Sequence, residues 1–336
     1  MHKRLLTVPY LGLALIGAFF FSSCQKNTDL AMPASEAELA QKAGGGKDKG
    51  KDNGTVFYAL TAGNELVKYS TDKPFREQGS VALTGLPEGE KIVAIDFRPA
   101  TGQLYGVSSG SRLYIINQTN GRTTAVNTTP FSPAINGSLV GFDFNPTVDR
   151  IRLVTDNAQN LRLNPETGTA AATDGMLNPG NPAVNAVAYT NNFAGAATTI
   201  LYDIDIATDR LYMQNPPNNG TLVAVGKLGV MATGEGGFDI SPDNSLALAA
   251  LFGRGDDDDE DAPEVTPGNK YRFYSINLQT GEGKNIGKTS RTIIGVAIPT
   301  APVAYAVSES NGLVIFNPET GVSVTKPITG LQSGET

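Results

Sequence analysis

The chain has 336 residues, 40% hydrophobic and 18% charged, with a formal net charge of −7. That apolar content excludes an intrinsically disordered chain, and 38 glycines with 20 prolines, about one residue in six, exclude a helical bundle. One His, one Cys and no Trp exclude a disulfide framework and any metal site built from several His or Cys.

Residues 1–23 carry the pattern of an export signal. His2, Lys3 and Arg4 form a charged start, Leu5 to Phe21 is nearly unbroken apolar sequence, and Ser22 and Ser23 supply the small residues before cleavage. Phe21-Ser22-Ser23-Cys24 resembles the lipobox of bacterial lipoproteins, with Phe21 where that family usually has an aliphatic residue. The resemblance implies cleavage before Cys24, diacylation of its thiol and acylation of the new amino terminus, enough chains to anchor a domain firmly. Cleavage removes the sole His together with Lys3 and Arg4, so the net charge moves from −7 to −9. Neither Ser-His-Asp nor Cys-His catalysis can then be assembled within the chain. Carboxylate, Tyr or Lys chemistry and hard-cation binding by oxygen ligands remain.

Residues 24–54 read as the lipidated tether, with Gly44-Gly45-Gly46 followed by a mixed-charge run to Gly54. Thirty such residues reach roughly 30 Å as a random coil. Gln25 lacks the Asp that marks inner-membrane retention in some lipoproteins, which places the expected anchor in the outer membrane, on its periplasmic or surface face.

From residue 55 to 327 a single domain is expected, followed by a tail at 328–336. Its unit is an apolar strand ending in Asn and closed by Gly four residues later: Asn117…Gly121, Asn164…Gly168, Asn277…Gly281 and Asn317…Gly321, with a looser copy at Asn215…Gly220. Asn bonds the backbone two residues on, Pro presets φ where present, and Gly supplies positive φ, so each is a hairpin turn. Ahead of these turns lies a second element, Ile95-Asp96-Phe97, Phe142-Asp143-Phe144 and Phe238-Asp239-Ile240, with Ala188 and Ala297 replacing Asp in two weaker copies. Turn glycines fall 47, 52, 61 and 40 residues apart. Short strands repeating at that interval predict an all-β fold, a β-propeller of six blades of four-stranded antiparallel sheets. Blades are expected near 92–127, 139–172, 184–225, 237–287 and 293–326, with a three-strand unit at 56–83.

The stretch Val140-Gly141-Phe142-Asp143-Phe144-Asn145-Pro146-Thr147-Val148-Asp149-Arg150-Ile151-Arg152-Leu153-Val154 resembles a bacterial secreted family, domain of unknown function 4394. Gln159 to Pro165 and Gln214 to Gly220 continue the likeness. The resemblance implies an exported, repeat-built protein and carries over no catalytic residue.

Three groups of side chains are candidates for chemistry. Asp256, Asp257, Asp258, Asp259, Glu260 and Asp261 form one acidic loop. It reads first as a solvated loop and second as a weak Ca²⁺ site, since it lacks the alternating ligands of an EF-hand. Arg150 and Arg152 lie two apart on one strand face, with Arg162 nearby. They read as an inter-strand ion-pair cluster or as a clamp for a carboxylate or sugar acid, because Arg offers a bidentate fork. The recurring Asp96, Asp143 and Asp239 read as turn residues of the repeat; as a glycosidase pair their carboxyls need to lie about 5 to 10 Å apart.

The expectation is a monomeric, lipid-anchored binding module that meets the membrane through its lipid and an envelope protein or glycan through its rim. No cofactor is expected beyond that Ca²⁺, and no nucleic acid, given the acidic balance. The alternative is a carboxylate-dependent glycan hydrolase or lyase, Ca²⁺-assisted.

Overall fold

A computed structural model describes residues 54–254, 270–318, 321 and 323–328, and residues 52–336 form one unit. Strands β1 (Val56–Thr61), β2 (Glu65–Ser70) and β3 (Gly79–Ala82) form a meander. The second sheet holds β4 (Ile92–Phe97), β5 (Leu104–Ser108), β6 (Leu113–Ile116) and β7 (Thr123–Ala125). The third holds β8 (Val140–Asn145), β9 (Arg150–Thr155), β10 (Asn160–Asn164) and β11 (Thr169–Thr173). In the fourth are β12 (Val184–Tyr189), β13 (Leu201–Asp205), β14 (Arg210–Gln214) and β15 (Leu222–Lys227). The fifth has β16 (Met231–Ile240), β17 (Ala247–Arg254), β18 (Lys270–Ile276) and β19 (Gly283–Thr289). Next come β20 (Ile293–Ala297) and then β21 (Ala304–Val307), β22 (Gly312–Phe316) and β23 (Ser323–Pro327).

The expected turns form as their chemistry dictates. The Gly121 amide donates to Asn117 O at 2.8 Å, Asn117 Oδ1 takes the Thr119 amide at 2.9 Å, and Gly121 has φ 72°. The β8–β9 turn follows the same plan, with Asp149 at φ 51° in the glycine's place.

Four of the expected repeats coincide with the second to fifth sheets, but the fifth expected repeat does not hold together. β20 leaves its neighbours in sequence and pairs antiparallel with β1, Ala59 opposite Val296, so that the first sheet runs β20-β1-β2-β3. The remaining strands form a separate three-stranded sheet, β21-β22-β23. The described residues therefore contain five four-stranded sheets and one three-stranded sheet, not six four-stranded ones.

The strands β4, β8, β12, β16 and β20 touch one another in that order, and β20 touches β4 again. Five apolar cores follow the same cycle. Leu60 and Ile95 meet between the first and second sheets, Tyr105 and Phe142 between the second and third, and Val154 and Val187 between the third and fourth. Ile204 and Phe238 meet between the fourth and fifth, and Leu248 and Val296 between the fifth and first. These strands are covered on both faces where they meet, so β12 is buried at every residue and β16 from Gly236 to Ile240, whereas the outer β11 alternates. Closeness at the centre demands small residues: a Cβ on Gly237 would lie 2.3 Å from the Val296 amide nitrogen.

Candidate functional site

Asp96, Asp143 and Asp239 do not sit in turns. They occupy the interiors of β4, β8 and β16, each at most 1% exposed, because those strands lie at the centre of the cycle and are buried on both faces. One carboxylate oxygen from each falls within 4.8 Å of those of the other two. Each Asp bonds the next strand in the cycle or, for Asp239, the residue just past it. Asp96 Oδ2 accepts the Phe144 amide at 2.8 Å, Asp143 Oδ1 the Tyr189 amide at 3.0 Å and Asp239 Oδ2 the Ile298 amide at 2.5 Å. Asp96 and Asp239 also accept the amides of Phe97 and Ile240. Burial pushes all three carboxyls upward. Neighbouring aspartates add to this for Asp96 and Asp143, and Asp239 is raised to about 7. A cavity of about 10 Å³ is lined by their chain neighbours Ile95, Phe142 and Phe238 with Val187 and Val296 among others, and by none of the three aspartates. It has room for about one water.

The arginines fall between the third and fourth sheets. Arg152, its side chain 2% exposed, donates to Asp174 Oδ2 at 2.7 Å, Asn160 Oδ1 at 2.6 Å and Asn218 Oδ1 at 2.8 Å. Arg162 donates to both oxygens of the same Asp174, at 2.8 and 2.9 Å. Burial opposes the charge on Asp174, but the two arginines outweigh it and hold its carboxyl low. Arg150 does not join them; its guanidinium turns back to the Asp149 carbonyl at 2.8 Å. Asp203, a residue that sequence reasoning passed over, is fully buried on the same side of the fourth sheet. Neither of its carboxylate oxygens has a donor among the described residues, and burial raises its pKa although Arg152 works against the rise. The only signal was an acid alternating with apolar neighbours in Leu201-Tyr202-Asp203-Ile204-Asp205.

Where the central strands end, the C-terminal sheet makes contact. Lys326 donates to Asp149 Oδ2 at 2.8 Å and to Glu166 Oε1 at 3.0 Å, and the Tyr305 hydroxyl donates to the Thr101 carbonyl at 2.9 Å. Arg98 Nε holds the other Asp149 oxygen at 2.8 Å. A pocket of about 560 Å³ opens there, with Phe193, Pro242, Ile298 and Pro302 beside Asp243 and Asn317. Burial opposes the Asp243 charge, but hydrogen bonds from Ser241 and Ser245 prevail and keep it low. Cys24 and the acidic run Asp256–Asp261 lie outside the described residues, the latter between β17 and β18. Among the described residues no helix is long and apolar enough to cross a membrane.

Among solved structures, the chain is similar to PorZ, an essential bacterial surface component of the type-IX secretion system of Porphyromonas gingivalis. The two share 13% identity with a TM-score of 0.36, over 82% of this chain and 33% of that one, so the chain spans about a third of PorZ's length. No curated protein matches. Residues 65–298, which contain the three central aspartates and both arginines of the Asp174 cluster, match the family model described as Domain of unknown function (DUF4394), and the chain belongs to that family.

Proposed function

We propose that the protein is a lipid-anchored, extracytoplasmic β-propeller that binds a glycan or protein ligand of the cell envelope without turning it over. Five blades fit the cyclic contacts better than six, with β20 completing the first blade and β21–β23 an addition outside the ring. Pairing β20 with β1, near the start of the domain, closes the ring non-covalently.

One observation carries the binding reading. The clustered carboxylates are at most 1% exposed and the cavity lined by their chain neighbours, about 10 Å³, is too small for a sugar ring, whereas the roomy pocket near Phe193 offers apolar walls and a few polar groups. A glycosidase needs two carboxyls open to substrate; the triad's are at most 1% exposed. The anchor rests on residues 1–24 and the tether that follows.

Two measurements test this reading. Growth with an alkyne-tagged fatty acid is expected to label the wild type and not Cys24→Ala, which leaves the membrane fraction. Binding of envelope glycan fragments to the purified full chain is expected to weaken about two- to tenfold in Phe193→Ala, the loss of an aromatic contact being worth about 0.5–1.5 kcal/mol. Hydrolysis of those fragments by the wild type would overturn the non-catalytic reading.

A further inference from the structure

The three central aspartates present a problem of charge. Backbone amides occupy five of their six carboxylate oxygens: two on Asp96, one on Asp143 and two on Asp239. The sixth, Oδ2 of Asp143, is buried with no donor among the described residues. Among the described residues, what acts on the three is burial, neighbouring aspartates and those amides, with no Lys or Arg among the causes. Three carboxylates this close cannot all remain ionised in a dry interior without a counter-charge. The amide bonds already favour the ionised form and aim the carboxylates into one small volume. A single divalent ion supplies the missing charge and gives Asp143 Oδ2 its partner.

We propose that Asp96, Asp143 and Asp239 together hold one Ca²⁺ at the centre of the fold. The ligands are all hard oxygens, which select Ca²⁺, Mg²⁺ or Mn²⁺ over softer metals. Ca²⁺ accepts oxygen ligands in flexible geometry, whereas Mg²⁺ demands a near-ideal octahedron. Three oxygens mutually within 4.8 Å are close enough to share one such ion. Mg²⁺ also keeps several waters, and the three aspartates are at most 1% exposed. The ion ties β4, β8 and β16, three strands far apart in sequence, to a common point. Its site differs from the acidic run Asp256–Asp261, and it stands whether or not the pocket near Phe193 binds a glycan.

The test uses the full chain purified in detergent, stripped with a chelator and returned to Ca²⁺ at neutral pH. At least one Ca²⁺ per chain is expected to bind, and Tm to rise by roughly 5 °C or more once free Ca²⁺ exceeds Kd about 100-fold. A variant with Ser at all six positions Asp256, Asp257, Asp258, Asp259, Glu260 and Asp261 keeps one bound ion and the shift in Tm. Asp143→Asn, nearly isosteric and uncharged, loses both. Should Asp143→Asn fail to fold, the six-Ser variant decides: one retained ion supports the central site, and none overturns it. No Ca²⁺ bound by the wild type, or an ion held undiminished by Asp143→Asn, likewise overturns it.

Discussion

Replacing Arg152 by Met separates a structural arginine from a ligand clamp. The Arg152 side chain is 2% exposed and its guanidinium is divided among Asp174, Asn160 and Asn218, with Tyr189 at 3.4 Å. Met fills much of the volume but leaves Asp174, itself 7% exposed, with Arg162 alone and strips a donor from each Asn. Breaking a buried pair from one side costs about 3–5 kcal/mol. Arg162 is 36% exposed, so Arg162→Met costs about 1 kcal/mol or less. Against a total stability of about 5–15 kcal/mol the first loss is large. Urea unfolding of the full chain in detergent, read by far-UV circular dichroism, measures both. The pH dependence follows from Asp174: its folded pKa lies below the ordinary 3.8, so its contribution is full above that value and lost as pH falls through the folded one. The Arg152→Met penalty accordingly shrinks in acid. Equal penalties for the two variants, or an Arg152→Met loss below about 1 kcal/mol, would refute the argument.

Three further outcomes follow from the geometry. Gly237→Ala drives a Cβ to 2.3 Å from the Val296 amide nitrogen and is expected to cost about 1–3 kcal/mol or more, whereas Gly79→Ala meets nothing within 4 Å and is neutral or gains up to about 1 kcal/mol; thermal melts compare them. With Ca²⁺ stripped, the central aspartates hold protons that the unfolded chain has released above 3.8, so stability is highest below that value and declines as pH rises through the region near 7 set by Asp239; Tm across that range reports it, and a rising Tm contradicts it. Lys326→Ala removes a partly exposed bridge to Asp149 and Glu166 and is expected to cost under about 1 kcal/mol overall. It quickens hydrogen exchange in β21 and β22 while leaving β12 unchanged, and equal exchange in β21 would argue against the bridge as a tie.

Much of the fold was legible because its punctuation is local. Asn117, Asn164 and Asn277 each bond backbone two residues on, and Gly121, Gly168 and Gly281 each take positive φ, so turn and strand boundaries could be read residue by residue. The partner of β20 could not be read. Gly295 to Pro299 resembles the start of another repeat, and nothing nearby says that Val296 pairs with Ala59 rather than with the strands that follow it. The aspartates were legible as a recurrence and misread as turn residues, because each precedes an apolar residue and then a turn-forming segment. Burial on both faces is a property of neighbouring sheets, which the strand's own sequence does not contain.

The sequence by itself determined the strands, the turns, the expectation of export and the scarcity of His and Cys, each of which depends on residues adjacent in the chain. Tertiary structure alone decided that β20 completes the first sheet, that Arg152 and Arg162 share Asp174 while Arg150 does not, and that three aspartates spread from residue 96 to 239 share a volume a few ångströms across. Those outcomes depend on how the sheets pack against one another, which is set by contacts among strands far apart in sequence.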